Sequence, residues 1–177
     1  WRRAVSSGEA LTVIEDDAVF CKNFEEEHKR LLKTLPETWD IILWGYNFDT
    51  PLSYNFLPGA SICTVLLDQV ALRKNIVSYP QASVKGKLFK LLRTLGIVCY
   101  SISPKGAQKF LEFCFPIRAM ETWHPALMDL ILNKGVDNPM AALYPKVDAY
   151  VCIPPLVVTA NDKETSTVQI VEKETTT

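Results

Sequence analysis

Leu11-Thr12-Val13-Ile14-Glu15-Asp16-Asp17-Ala18-Val19-Phe20 is the stretch from which the rest of this chain is read. A short apolar, β-branched run ends in three adjacent carboxylates. β-branched residues favour extended backbone, so Leu11 to Ile14 reads as a buried strand. Three like charges in a row repel one another, and a buried strand end is a costly place to leave them unpaired. A cation belongs beside them. Hard divalent ions such as Mn²⁺ or Mg²⁺ take oxygen ligands, commonly one or two carboxylates with substrate phosphates and water. On extended backbone Glu15 and Asp17 point to one side and Asp16 to the other, so two carboxylates are placed to share an ion. The competing reading is a solvated turn whose acids cap a following helix.

Downstream of this run, helical and strand periods alternate. Phe24 to Leu35 carries apolar positions at Phe24, Leu31, Leu32 and Leu35 opposite a charged face, which predicts a surface helix stopped by Pro36. Trp39 to Trp44 reads as a second buried strand closed by Gly45. Residues 46–62 mix Asn, Asp, Pro, Ser and Gly with aromatics and hold no period, which predicts a long functional loop. Residues 63–95 are ambiguous, and Lys85 to Arg93 fits either a short amphipathic helix or an ordered loop. Gly96 to Ile102 is a strand; Ser103 is then an N-cap, Pro104 the first helical residue, and Ala107, Phe110, Leu111 and Cys114 an apolar stripe ending at Pro116. A further helix is expected over Pro125 to Asn133, with Gly135 as its stop. Tyr150 to Val158 starts as a strand and is broken by Pro154-Pro155. The domain runs over 1–170, and 171–177 form a polar tail expected to be disordered.

Composition excludes several classes. The chain has 177 residues, 48% hydrophobic and 22% charged, with a net charge of −1. These are the values of an ordinary soluble domain, and they give no reason to expect nucleic acid as a partner. No apolar run approaches the ~18–20 residues that span a bilayer. Cys21, Cys63, Cys99, Cys114 and Cys152 are odd in number and scattered, so reduced thiols of a cytoplasmic protein are expected rather than a disulfide framework or zinc site. The chain opens at Trp1 without a charged-then-apolar leader, and the expectation is a fragment whose N-terminal part is missing.

Alternating strands and helices imply an α/β sandwich with a mostly parallel central sheet, in which ligands bind beyond the carboxyl ends of strands. Glu15-Asp16-Asp17 lies at such an end. Three placements agree: acids at a strand end, an aromatic loop after the second strand, and a strand-to-helix turn at Ser101-Ile102-Ser103.

The ordered set TVIEDDAVF, WDIILWG, CYSISPKGAQKFL, MDLIL and VCIPPLVV followed by a Ser-Thr pair resembles glycosyltransferase family 25, which includes lipooligosaccharide galactosyltransferases and related collagen galactosyltransferases. The resemblance covers about residues 1–170. It implies a GT-A type fold and inverting transfer of a sugar, usually galactose, from a UDP-sugar to a glycan hydroxyl, with Mn²⁺ as cofactor. On this resemblance Glu15, Asp16 and Asp17 match the acidic metal and diphosphate motif, with Glu15 and Asp17 as metal ligands. Asp129 resembles the acid that follows the Tyr-x-Ile-Ser strand and its helix, and Glu121 competes with it. The N-terminal portion that would hold uracil and ribose is absent, and Leu52 to Arg93 matches little of the pattern. The implied location is cytoplasmic, or the ER lumen for a eukaryotic relative. Peripheral membrane association through a lipid-linked acceptor is also implied.

The chemistry accounts for these residue types. A metal bridging the leaving diphosphate stabilises its developing charge. A carboxylate, here Asp129 or Glu121, takes the acceptor proton. Trp44, Tyr46 and Trp123 suit stacking on sugar faces and equally suit core packing. Tyr100 and Ser103 are candidate ligands, with a core tyrosine and a helix cap as the alternative. Rival functions are a metal-dependent phosphohydrolase and a non-catalytic glycan-binding or interaction domain.

Overall fold

The computed structural model describes residues 1–119, 121–124, 129–132 and 135–162. Along the chain run α1 (Arg2–Ser7), β1 (Leu11–Ile14), β2 (Ala18–Phe20), α2 (Phe24–Leu32), β3 (Ile41–Gly45), β4 (Leu52–Leu57), β5 (Ser61–Val65) and α3 (Gln69–Asn75). A 3-10 helix (Ile76–Gln81) precedes β6 (Lys87–Arg93), β7 (Cys99–Ile102), α4 (Pro104–Cys114), β8 (Glu121–His124), β9 (Asp129–Leu132) and α5 (Asp137–Leu143). A 3-10 turn (Tyr144–Lys146) leads to β10 (Ala149–Ile153) and β11 (Val157–Thr159).

Seven strands form one sheet in the order β1-β7-β3-β10-β6-β4-β5. Within it only the β3–β10 pair is parallel; every other neighbouring pair runs antiparallel. The expected mostly parallel sheet is therefore corrected to a mostly antiparallel one. Parallel neighbours need a crossover of a dozen or more residues, usually a helix. Between β3 and β6 the chain makes the β4–β5 hairpin before α3 and the 3-10 helix, and β6 then returns antiparallel to both β4 and β10, so no helical crossover links parallel neighbours there. The α/β composition and the covering of both sheet faces stand.

One face carries a core of Ile41, Leu43, Tyr100, Ile102 and Val151 beneath Ala4 of α1, Ala107 and Phe110 of α4 and Met140 of α5. On the other face Ile42, Trp44, Cys99 and Cys152 meet Leu31 of α2 together with Leu156 and Val157 around β11. A small β2–β11 ladder and the β8–β9 hairpin complete the strands described. α4 is locked at its start as its sequence demands: Gly106 N–H donates to the Ser103 hydroxyl (3.0 Å), and Ser103 N–H donates to the Asp40 carbonyl (3.0 Å). A side chain at Gly106 would sit 2.1 Å from that same Asp40 oxygen, so only glycine lets the helix approach the sheet. Buried Asp40 accepts from Lys109 Nζ (2.6 Å) and Asp148 N–H (2.8 Å), fastening α4 to the start of β10.

Four expectations change. Leu11 to Ile14 is an edge strand with alternate residues exposed rather than a buried one; Ile14 is 49% exposed. Within the expected loop at 46–62, Leu52 and Tyr54 are buried while Ser53 and Asn55 are half-buried, and this period of two makes β4. Lys87 to Arg93 is a strand held between β10 and β4, neither a helix nor a loop. Asp129–Leu132 pairs antiparallel with Glu121–His124, so the helix expected over 125–133 is not formed at 129–132; residues 125–128 and 133 lie outside those described. The tail at 171–177, expected to be disordered, lies outside the described residues, as does the Ser-Thr pair after β11.

Candidate functional site

The three acids form the turn between β1 and β2. Glu15 N–H donates to the Val98 carbonyl (2.9 Å), and Ala18 N–H donates to the Glu15 carbonyl (3.3 Å). Glu15, Asp16 and Asp17 are all exposed. They sit in a turn between two strands, so they cap no helix. Although the residue as a whole is exposed, partial desolvation of its carboxyl, followed by the nearby charges of Asp17, Asp137 and Asp16, raises the pKa of Glu15. The turn is thus a concentration of negative charge. Among the described residues no three acidic, histidine or cysteine side chains are gathered closely enough to hold a metal ion by themselves.

The tertiary fold brings further polar groups to this turn. Asp137, the first residue of α5, reaches Gly96 N–H with Oδ2 (3.4 Å) while adding to the charge around Glu15. Gly96 has φ 80°, and a side chain there would collide with Asn47, so the backbone approaches that amide closely. From the end of β11, the Thr159 hydroxyl donates to Asp17 Oδ2 (2.5 Å) and accepts from Asn161 N–H (2.9 Å). Asn161 Nδ2 donates to Asp49 Oδ2 (2.9 Å) in the loop after β3. Gln69 at the start of α3 closes the network: its amide donates to the carbonyls of Thr159 (3.1 Å) and Ala160 (2.9 Å) and accepts from Phe48 N–H (3.1 Å). Loop 46–51, the start of α3 and the end of β11 thus hold one another beside the acids. A hollow of about 440 Å³ lined by Trp1, Arg2, Arg3, Val13, Tyr100 and Val136 opens alongside.

Sequence reasoning missed Asp137, Thr159 and Asn161. Asp137 follows the Gly135 stop and begins a helix, where an acid suits the dipole. Thr159-Ala160-Asn161 is the first polar step after the apolar Val157-Val158. Asn161 takes φ 45°, a conformation asparagine tolerates better than most residues.

The aromatic candidates are placed in the interior. Trp44 is 0% exposed and donates to the Ser101 hydroxyl (2.8 Å), which also bonds Thr12 (2.8 Å) and His28 (3.3 Å). Tyr46, 1% exposed, donates to the Cys152 carbonyl (3.4 Å). Tyr100 accepts from the Trp1 indole (2.8 Å), and burial raises its phenol pKa. Ser103 caps α4. These four side chains are engaged in packing and capping, and of them Tyr100 lies near enough to the acidic turn for the charge of Glu15 to raise its pKa further. The side chain of Trp123 lies outside those described. All five cysteines are free thiols.

Asp129 and Glu121 are exposed on the β8–β9 hairpin. Asp129 Oδ1 accepts from Leu130 N–H (2.7 Å). Asp129 stands opposite His124, and Glu121 opposite Leu132. Opposed residues share a face and successive pairs alternate, so Glu121 and Asp129 project from opposite faces of the hairpin.

The profile of glycosyltransferase family 25, described as an LPS biosynthesis protein, matches residues 1–125. The chain belongs to glycosyltransferase family 25. The matched span takes in the acidic turn, β3 and the whole of α4. No curated protein and no solved structure matches the chain. As a family 25 member it is a glycosyltransferase acting on a sugar donor and a glycan acceptor. Among the described residues no helix is long and apolar enough to cross a membrane.

Proposed function

We propose that this family 25 glycosyltransferase moves a hexose, with galactose the first candidate, from a UDP-sugar to a hydroxyl of a lipooligosaccharide-type surface glycan, with inversion and with the help of Mn²⁺ or Mg²⁺. The observation that carries the reading is the crowding of Glu15 by Asp17, Asp137 and Asp16 at a sheet end, where the three acids of the turn lie within the span that matches the family and Asp137 lies beyond it.

The donor set suits a hard divalent ion. Carboxylate oxygens are the preferred ligands, and two of them, from Glu15 and Asp17, leave room for diphosphate oxygens and water. Desolvation leads in raising the pKa of Glu15; the charges of Asp17, Asp137 and Asp16 raise it further, and it is that repulsion which a bound cation would relieve. When bound, such an ion supplies charge stabilisation to the leaving diphosphate. Asp17 is kept in place by the Thr159 hydroxyl, and Arg2 and Arg3 on the neighbouring hollow offer cationic partners to phosphates.

The transfer is a single displacement. The acceptor oxygen bonds to the anomeric carbon as the bond to the diphosphate oxygen breaks, and the acceptor proton passes to a carboxylate. Asp129 is the proposed base and Glu121 its rival.

Asp17→Asn tests the reading, because it keeps shape and removes a negative oxygen. With Mn²⁺, UDP-galactose and a glycan acceptor, its transfer rate should fall at least ~10²-fold. Wild-type activity in Asp17→Asn would overturn the assignment. Release of inorganic phosphate without any sugar transfer would favour a phosphohydrolase.

A further inference from the structure

The β4–β5 hairpin is the odd surface of this molecule. Residues 50–67 contain no charged side chain at all. At the hairpin tip Phe56 is 62% exposed, Leu57 57% and Ile62 68%, with Pro58, Gly59 and Ala60 between them. Edge strands of soluble proteins are normally guarded by charges, and β5 carries none. Beyond the hairpin the chain turns basic: between Asp68 and Glu112 it holds eight Lys or Arg residues and no acid, in a protein whose net charge is −1. The fold pairs Lys90 of this run with Asp148 and Lys105 and Lys109 with Asp40, while Lys85, near Glu27, and Lys87 are exposed.

The sheet register places these features relative to the acids. Thr12, Ser101, Ile42, Tyr150, Lys90, Asn55 and Ile62 form one row across all seven strands. One step along is Val13 and two steps along is Ile14, immediately before Glu15; the same steps lead from Asn55 to Phe56 and Leu57, and from Lys90 towards Lys87. The apolar tip, Lys87 and the acidic turn therefore lie at one end of the sheet. With strands spaced ~4.8 Å apart, the five steps from β1 to β4 separate tip and acids by about 24 Å. Contact couples tip and charge: Phe56 stacks on Phe89 (6.3 Å between ring centres), and Lys87 Nζ lies over the Phe89 ring at 5.4 Å.

We propose that the β4–β5 tip, with Lys85 and Lys87 behind it, docks on an anionic phospholipid surface. Phe56, Leu57 and Ile62 enter the headgroup boundary, where uncharged apolar side chains gain and charged ones lose. The lysines pair with lipid phosphates. Docked in this way, the end of the sheet that carries Glu15 and Asp17 is turned towards the membrane, about 24 Å across the sheet from the tip, and its carboxylates oppose the attraction that the lysines supply. That orientation rests on the transferase reading above, for it presents the site to an acceptor anchored in the same bilayer; the docking itself does not depend on it.

Cosedimentation of the whole chain with lipid vesicles tests this. Binding to vesicles containing phosphatidylglycerol should exceed binding to pure phosphatidylcholine at least tenfold and weaken as salt rises. The double variants Phe56→Ser/Ile62→Ser and Lys85→Glu/Lys87→Glu should each lose tenfold or more of that binding, with circular dichroism unchanged. Phe56→Trp gives a readout that removes nothing: its emission should shift to the blue on adding anionic vesicles. Equal binding to both lipids, undiminished binding of either double variant, or an unmoved Trp emission overturns the proposal. So does self-association that Phe56→Ser/Ile62→Ser abolishes in a chain that ignores vesicles, which would make this edge a contact between copies. Binding of an oligonucleotide in place of vesicles overturns it too. Transfer to a water-soluble acceptor should be unchanged in both double variants; its absence in the wild type would count against the proposed transferase reaction and leave the docking result standing.

Discussion

Thr159 donates its hydroxyl hydrogen to Asp17 over 2.5 Å, joining the last residue of β11 to the last of the three acids across 142 positions of sequence. The same oxygen accepts from Asn161 N–H, so one buried hydroxyl fixes both the acidic turn and the bend that follows β11. Thr159→Val keeps the shape and the β-propensity and removes both bonds. Stability should fall by about 1 kcal/mol in urea unfolding. Transfer should slow roughly tenfold, an effect of lost positioning worth ~1.4 kcal/mol. Thr159→Ser should restore both, and a Ser variant no better than Val would show that the hydroxyl does not matter.

Glu15 makes a prediction about pH. Its folded-state pKa is raised, first by burial and then by Asp17, Asp137 and Asp16, from an ordinary 4.5. The folded protein therefore holds that proton better than the unfolded chain does. Its favourable contribution is full below pH 4.5 and is lost as pH rises through the folded value, leaving a repelled carboxylate at neutrality. Glu15→Gln should raise Tm at pH 7 by about 1–2 °C, the scale of a screened surface charge, and give no advantage at pH 4. Mn²⁺ with UDP should raise the Tm of the wild type more than that of Glu15→Gln. Identical ligand shifts in both proteins would remove Glu15 from the metal site.

Glu27 behaves in the opposite sense. It is 6% exposed and accepts two bonds from Arg30, from Nε (2.9 Å) and a terminal nitrogen (2.7 Å), and a third from Gly86 N–H (3.1 Å). The Arg30 bonds lead in lowering its pKa below the ordinary 4.5. A lowered carboxylate stabilises the fold above pH 4.5, and that contribution is lost as pH falls through the folded value. Glu27→Gln should cost about 1–3 kcal/mol at pH 7. The difference from wild type should shrink in acid, measured by urea unfolding at pH 7 and pH 3. A constant gap across that range would rule out the ionised pair as its source.

The β8–β9 register separates the two candidate bases. Because Asp129 and Glu121 project from opposite faces of the hairpin, a single acceptor hydroxyl can meet one of them and not the other. Asp129→Asn should cut transfer ~10²–10⁴-fold with donor binding little changed, while Glu121→Gln stays close to wild type. The reverse pattern would move the base to Glu121. Equal partial losses in the two variants would argue against either residue acting as the proton acceptor.

What the sequence by itself determined is what local chemistry encodes. The β-branched run before the acids made β1, the Ser103 cap with Pro104 made the start of α4, the apolar spacing made α2, and Pro154-Pro155 divided β10 from β11. Each signal lies within a few residues of the element it specifies. Residues 46–62 and 85–93 were not legible because β4 alternates over only Leu52 to Asn55, among turn-forming residues, and Lys87 to Arg93 mixes apolar and basic residues with no period of two. The tertiary structure alone decided the direction of the sheet, since whether strands run parallel or antiparallel depends on which distant strand each one meets. It also decided the fate of the aromatics: Trp44 and Tyr100 look alike in sequence whether they stack on a sugar or fill a core, and here Ser101 and Trp1 bind their polar ends inside. Asp137 and Thr159 reached the acidic turn by the same route, over separations for which no local pattern exists, because long-range packing rather than backbone preference brought them there.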